Sequence, residues 1–133
     1  PRNFVRTMRR LLDERETLRV VDDQKGCPTY APDLADILAF LVTSGARGIF
    51  HGTNAGVCTW YDLARETARR SGQDPDRIRP CPSSEYPTPV VRPRCSVLVS
   101  TRLEEAGCPA RPSWQDAVGR YCDLLASGRA RHV

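Results

Sequence analysis

Near the start of the chain, apolar residues recur three and four positions apart: Phe4, Val5, Met8, Leu11 and Leu12. That spacing gathers them on one face of a helix, expected from Asn3 to Glu16. The pattern then changes. Leu18, Val20 and Val21 give a short apolar strand signal, which breaks into a polar loop containing Gly26 and Pro28. Asp33 stands where a helix N-cap would, ahead of a second helical stripe of Leu34, Ile37, Leu38, Leu41 and Val42 that runs out at Ser44 and Gly45. Leu18 to Leu34 is therefore expected to be a strand, a crossover loop and the start of a helix. A loop held this way can present groups to a ligand.

Further along, Gly48-Ile49-Phe50-His51-Gly52 is short and apolar, which predicts a buried strand with His51 in the core bonded to backbone. Thr53 to Gly56 reads as a turn. Thr59 and Asp62 make a capping-box variant in front of a helix expected from Trp60 to Ser71 and stopped by Gly72. A short strand should follow near Ile78. The stretch from Pro80 to Pro93 holds too many prolines for a helix or a central strand, so an extended, stiff loop is expected, with Pro87, Pro89 and Pro93 limiting its freedom when unbound. Ser96 to Leu98 suits a last extended piece, and Ser100 a cap for a short helix closed by Gly107. Ser113 and Asp116 then open a terminal helix whose apolar stripe is Trp114, Ala117, Val118, Tyr121, Leu124 and Leu125. Gly128 to Val133 is expected to fray. The sum is an α/β chain, mostly helices with short strands.

Composition narrows the function. At 133 residues the chain suits one domain with one modest core. Its formal charge of +4 is almost wholly arginine, since Lys25 is the only lysine. Arginine's planar fork suits a phosphorylated ligand. The arginines are dispersed along helices without interleaved aromatics, so they read as solvated faces, and no nucleic-acid partner is expected. With no apolar run of about 20 residues and no signal-peptide pattern, a cytoplasmic protein without a membrane partner is expected. The six cysteines form no C-x-x-C pair and sit beside no histidine ladder, which argues against zinc and for reduced thiols. His51 and His132 are the only histidines, and no nucleophile with a base, carboxylate pair or glycine-rich phosphate loop stands out. From residues alone this is a ligand-presenting α/β unit with no catalytic or metal-binding residue to name.

A family resemblance makes the reading specific. N-F-V-x-T-M (Asn3 to Met8), V-D-D-Q-x-G-x-P-T-Y-x-x-D-L-A (Val21 to Ala35), G-I-F-H (Gly48 to His51), T-W-Y-D-L-A (Thr59 to Ala64), E-Y-P-T-P-x-x-R-P-x-x-S-x-L (Glu85 to Leu98) and P-S-W (Pro112 to Trp114) follow one another in order. Each is weak alone. Together they resemble the C-terminal, substrate-binding half of the dTDP-4-dehydrorhamnose reductases, extended short-chain dehydrogenases/reductases with a Rossmann-type parent fold. The resemblance implies a substrate domain over residues 1–127 with a disordered tail at 128–133. It also implies that the chain binds a dTDP-sugar for an enzyme that uses NADPH to reduce its 4-keto group, making dTDP-L-rhamnose. NADPH and the catalytic residues would belong to an N-terminal Rossmann half upstream of Pro1, so the chain alone should be inactive.

Carried over residue by residue, the resemblance sets Asn3 near the substrate diphosphate, Val21 against the base and Arg92 on the nucleotide phosphates. Gln24, Gly26, Pro28 and Thr29 would line the pocket, and Trp60 and Tyr61 would serve packing. Apolar faces meant for the other half would need cover, from that half or from a homodimer. An alternative from another class is a non-catalytic nucleotide-binding or regulatory module like the β subunit of methionine adenosyltransferase.

Overall fold

The structure is a computed structural model that describes residues 3–86 and 90–128. Helix α1 (Phe4–Glu14) is opened by Asn3, whose backbone is extended and whose Oδ1 accepts from the Arg6 N–H at 2.9 Å. Its far end is closed from outside. Arg77, in a 3-10 turn at Pro75–Arg77, donates to the Leu12 carbonyl at 2.6 Å, an acceptor that a helix C-terminus leaves unpaired, and to the Glu16 carbonyl just beyond the helix at 2.8 Å.

Strand β1 (Leu18–Val21) pairs in parallel with β4 (Ile78–Cys81), Leu18 opposite Ile78 and Val20 opposite Pro80. Pro80 thus lies within a strand, where a stiff loop was expected. The ladder has two strands, so proline's missing N–H can face away from its partner. A smaller antiparallel pair joins β2 (Lys25–Gly26) to β3 (Cys58–Thr59). Beyond β4, a 3-10 turn at Ser83–Glu85 is tied down by Asp23, which accepts from the Ser83 N–H and Oγ–H at 3.1 and 2.9 Å. Pro87 and Pro89 lie outside the described residues.

The centre of the packing is α3 (Trp60–Arg70). Thr59 and Asp62 form the full reciprocal capping box expected from sequence, and Gly72 follows in the left-handed conformation at φ 71°. On one side, fully buried Ala64 and Ala68 let α1 approach closely, so Met8 and Leu12 close over Leu18, Val20 and Ile78. On the other side, Leu63 and Cys58 meet Trp114, Val118 and Cys122, the last three carried by α5 (Trp114–Ala126). Gly119 of α5 faces the Arg70 guanidinium, where a Cβ would stand 3.1 Å from Nη1. Glu66 is buried yet paired with Arg69 and Arg70 on its own helix.

Several local expectations need correction. Helix α2 (Ala31–Ser44) starts ahead of Asp33, with Tyr30 at the cap position and proline in its first turn. Proline's fixed φ suits that turn. Asp33 is no cap because its carboxylate is engaged by Arg120, as described below. Residues 48–52 form no strand. Ile49 is 77% exposed, and the segment is instead held by Arg102, which donates to the Ile49 carbonyl at 3.0 Å and lies over the Phe50 ring. His51 is exposed and not in the core, although Nδ1 does donate to the Val99 carbonyl at 3.0 Å. Residues 96–98 are not a strand either. Ser100 precedes α4 (Thr101–Glu105) without capping it, and its Oγ accepts from Arg111 at 2.8 Å. Gly128 follows α5 at φ 70°, and the rest of the expected tail, 129–133, lies outside the described residues.

All six cysteines are unpaired thiols. No helix among the described residues is long and apolar enough to cross a membrane.

Candidate functional site

Trp60, the first residue of α3, leans on Phe4 with ring centroids 4.9 Å apart. Three concavities meet at its indole. The largest, about 650 Å³, lies between α1, β1 and the segment after β4, with Phe4, Met8, Val21, Gln24, Tyr86 and Arg92 in its walls. A second of about 370 Å³ is lined by Gln24, Gly26, Cys27, Pro28, Cys58, Thr59, Arg92 and Ser96. Gln24, Trp60 and Arg92 belong to both, so these two form one groove divided at those side chains. The third, about 530 Å³, opens on the other side of Trp60 between α1, residues 28–32 and α5.

Backbone pairing brings Arg92 to Gln24. Lys25 donates to the Arg94 carbonyl at 2.8 Å, and its own carbonyl accepts from the Ser96 N–H at 2.9 Å, so residues 94–96 run alongside β2. Gly26 sits against this strand-like piece. A Cβ there would stand 3.1 Å from Ser96 Oγ, so a side chain would press the two apart. Arg19, ion-paired to Glu85, flanks the larger chamber.

Of the residues singled out from sequence, Val21, Gln24, Gly26, Pro28 and Arg92 line the two-chamber groove. Thr29 and Asn3 do not join them there. Both line the third concavity, where Pro28 also appears. Thr29 is exposed, and its Oγ donates to the Cys27 carbonyl at 3.1 Å. Asn3 spends its Oδ1 on the helix cap and donates from Nδ2 to the Tyr121 hydroxyl at 2.7 Å, an oxygen that also accepts from Arg6 Nε at 2.9 Å. One amide hydrogen of Asn3 remains beyond these bonds.

Other residues contribute to the site. Trp60 does pack, as expected, but it also walls all three of these concavities. An exposed-side aromatic opening a helix next to a Thr cap was the available signal. Behind the 27–30 segment, buried Asp33 and Asn54 meet the partly exposed Arg120. Arg120 donates to both Asp33 oxygens at 2.8 and 2.7 Å, and Asn54 Nδ2 donates to Asp33 Oδ2 at 2.6 Å. Those bonds hold the Asp33 carboxyl below its ordinary range, Arg120 being the larger cause, against the opposing effect of burial. Residues 87 positions apart leave no local spacing to read.

Chemically, the groove combines an aromatic wall, an arginine fork and amide and hydroxyl groups. That set suits a phosphorylated ligand with a flat or apolar part. Cys58 is pushed up to about 12 by burial, so it is a neutral wall rather than a nucleophile. Among the described residues no cluster of His, Cys, Asp or Glu could hold a metal ion.

The chain matches the family model "RmlD substrate binding domain" over residues 1–127. It is 49% identical to a dTDP-4-keto-6-deoxy-D-glucose reductase of Streptomyces niveus, covering 92% of this chain and 43% of that protein. It is 46% identical to a dTDP-4-dehydrorhamnose reductase of Streptomyces griseus, covering 98% and 45% respectively. Its fold matches the crystal structure of a dTDP-4-dehydrorhamnose reductase from Clostridium acetobutylicum with a TM-score of 0.90 at 38% identity, over 95% of this chain and 45% of that one. A second match, TM-score 0.85 at 32% identity, is to the Bacillus anthracis dTDP-4-dehydrorhamnose reductase solved in complex with NADP and covers 91% of this chain and 43% of that one. The chain therefore spans under half the length of the relatives it matches, and it belongs to the RmlD substrate-binding-domain family, with the α/β fold of the reductases that carry that domain.

Proposed function

We propose that residues 1–127 are the substrate-binding part of an NADPH-dependent reductase acting on a dTDP-linked 4-keto-6-deoxy sugar, in the route to dTDP-L-rhamnose. The observation that carries this reading is the convergence of Val21, Gln24 and Arg92 on one groove beside Trp60 in a chain of this family. Arg92 holds the nucleotide phosphates, Val21 and its apolar neighbours take the base, and Gln24, Gly26 and Pro28 border the remaining ligand. Asn3 and Thr29 approach from the far side of Trp60. The relatives' names share dTDP and reduction but differ in the sugar, so the sugar is the finest part of the proposal.

The dinucleotide belongs to the other half of such a reductase. Among the described residues no glycine-rich turn leads from a strand into a helix, and they do not fit a dinucleotide cradle. No hydride step is routed through them. That other half also covers α2, whose Leu38 and Val42 are 54% and 81% exposed, together with Ile49.

Titration of the complete protein with dTDP tests the reading. Arg92→Ala is expected to weaken binding by about 1.5–3 kcal/mol, the worth of a charged hydrogen bond. Unchanged affinity removes Arg92 from the site, and failure of the complete protein to turn over a dTDP-4-keto-6-deoxy sugar with NADPH removes the reductase assignment.

A further inference from the structure

Between the end of β2 at Gly26 and the start of α2 at Ala31, residues 27–30 have no regular structure, yet Cys27 and Pro28 wall the groove. Something must fix them. The helix that follows gives little purchase by packing, since α2 buries Asp33 and Ile37 and leaves its other apolar residues wholly or partly in solvent.

Arg120 supplies the fixing. Its guanidinium grips both oxygens of Asp33, a carboxylate only 5% exposed, while its Nε donates to Asp116 at 2.7 Å, which holds the fork in plane. The same group lies over the Tyr30 ring, 5.3 Å from its centroid. Asn54, 1% exposed, completes the grip. It donates to Asp33 and to the Pro112 carbonyl, and its Oδ1 accepts from the Tyr30 N–H at 2.8 Å. Tyr30 is thus held at its backbone and its ring.

Asp33 is buried while the Arg120 side chain is 39% exposed, so the carboxylate bears most of the desolvation cost and an apolar pair would fill the buried side of this place as well. What the ion pair adds is one fixed geometry, set by a bidentate fork. We propose that Arg120 is a positioning residue for the ligand groove, acting through Asp33 and Tyr30 to fix the 27–30 wall. The part concerning the ligand rests on the dTDP-sugar reading above.

The test uses the complete protein and the double variant Asp33→Leu with Arg120→Met, which keeps an apolar filling and leaves no unpaired buried charge. Two readouts are taken. One is the alkylation of Cys27 relative to Cys95 under limiting iodoacetamide, and cleavage after Lys25 and Arg94 puts the two thiols on separate tryptic peptides. The other is dTDP affinity by calorimetry. The expected result is a folded protein whose Tm falls only modestly, by the buried Asn54 N–H that loses its acceptor, with a Cys27 to Cys95 ratio several-fold above wild type and dTDP binding weaker by about tenfold, the scale of a misplaced contact group. An unchanged ratio overturns the proposal, as does a raised ratio with unchanged affinity. A double variant that fails to fold overturns it as well, since the clamp would then be structural. If wild type does not bind dTDP, the nucleotide reading fails, and the ratio alone decides whether Arg120 fixes the wall.

Discussion

Helices α2 and α3 are of similar length and could hardly be used more differently. Along α3, Leu63, Ala64, Glu66, Thr67 and Ala68 are buried between α1 and α5, and both ends are closed by caps. Along α2 the residues are more apolar on average, yet Leu38 and Val42 lie in solvent. Hydrophobicity therefore does not tell which helix makes the core. What decides is whether this chain supplies the facing surface, and for α3 it supplies two.

The sharpest way to break that contrast is to truncate one leucine in each region. Leu12, 1% exposed against α3, should cost about 2–5 kcal/mol on replacement by Ala, read as a lower midpoint in urea. Leu38→Ala in the same 133-residue chain should stay within about 0.5 kcal/mol, but should cost more in a complete protein that covers α2. Equal costs in both settings would mean that α2 has no partner. Acid tests the ionic anchor of α2. Asp33 has its folded pKa lowered, so its contribution is present above the unfolded carboxylate value of about 3.9 and is lost as pH falls through the lower folded value. Stability of wild type should fall across that acid window, and the Asp33→Leu, Arg120→Met pair should lose this part of the slope.

Smaller effects refine the picture of α3. Thr59→Ala removes the capping-box acceptor and should cost about 1 kcal/mol in thermal unfolding. Arg10→Ala breaks an ion pair with Glu14 on the solvated side of α1 and should change stability by no more than about 0.5 kcal/mol.

The same contrast explains what could be read before the structure. α1, β1, α3 and α5 were legible because their apolar spacing and caps are local signals, and the packing partners lie within the chain. The Gly48 to Gly52 segment has the composition of a buried strand, but composition does not say which strand it would pair with. Asp33 looked like a cap because Asp before an apolar stripe usually is one, and its true partner, Arg120, belongs to a helix with its own independent pattern. In the candidate site, Val21, Gln24, Gly26, Pro28 and Arg92 came from family resemblance and share the groove. Asn3 and Thr29 sit across Trp60, the helix-opening aromatic that divides the space.

The parallel pairing of β1 with β4 also bears on how the chain finds this state. Leu18 meets Ile78 only after α2 and α3 have intervened, so the ladder closes a long loop and pays its entropy before any strand hydrogen bond forms. The contact between α1 and α3 shortens that loop. Folding should therefore run through the helix pair, with the two strands zipping late, and substitutions at Ala64 or Met8 should slow refolding whereas substitutions in β4 should mainly hasten unfolding.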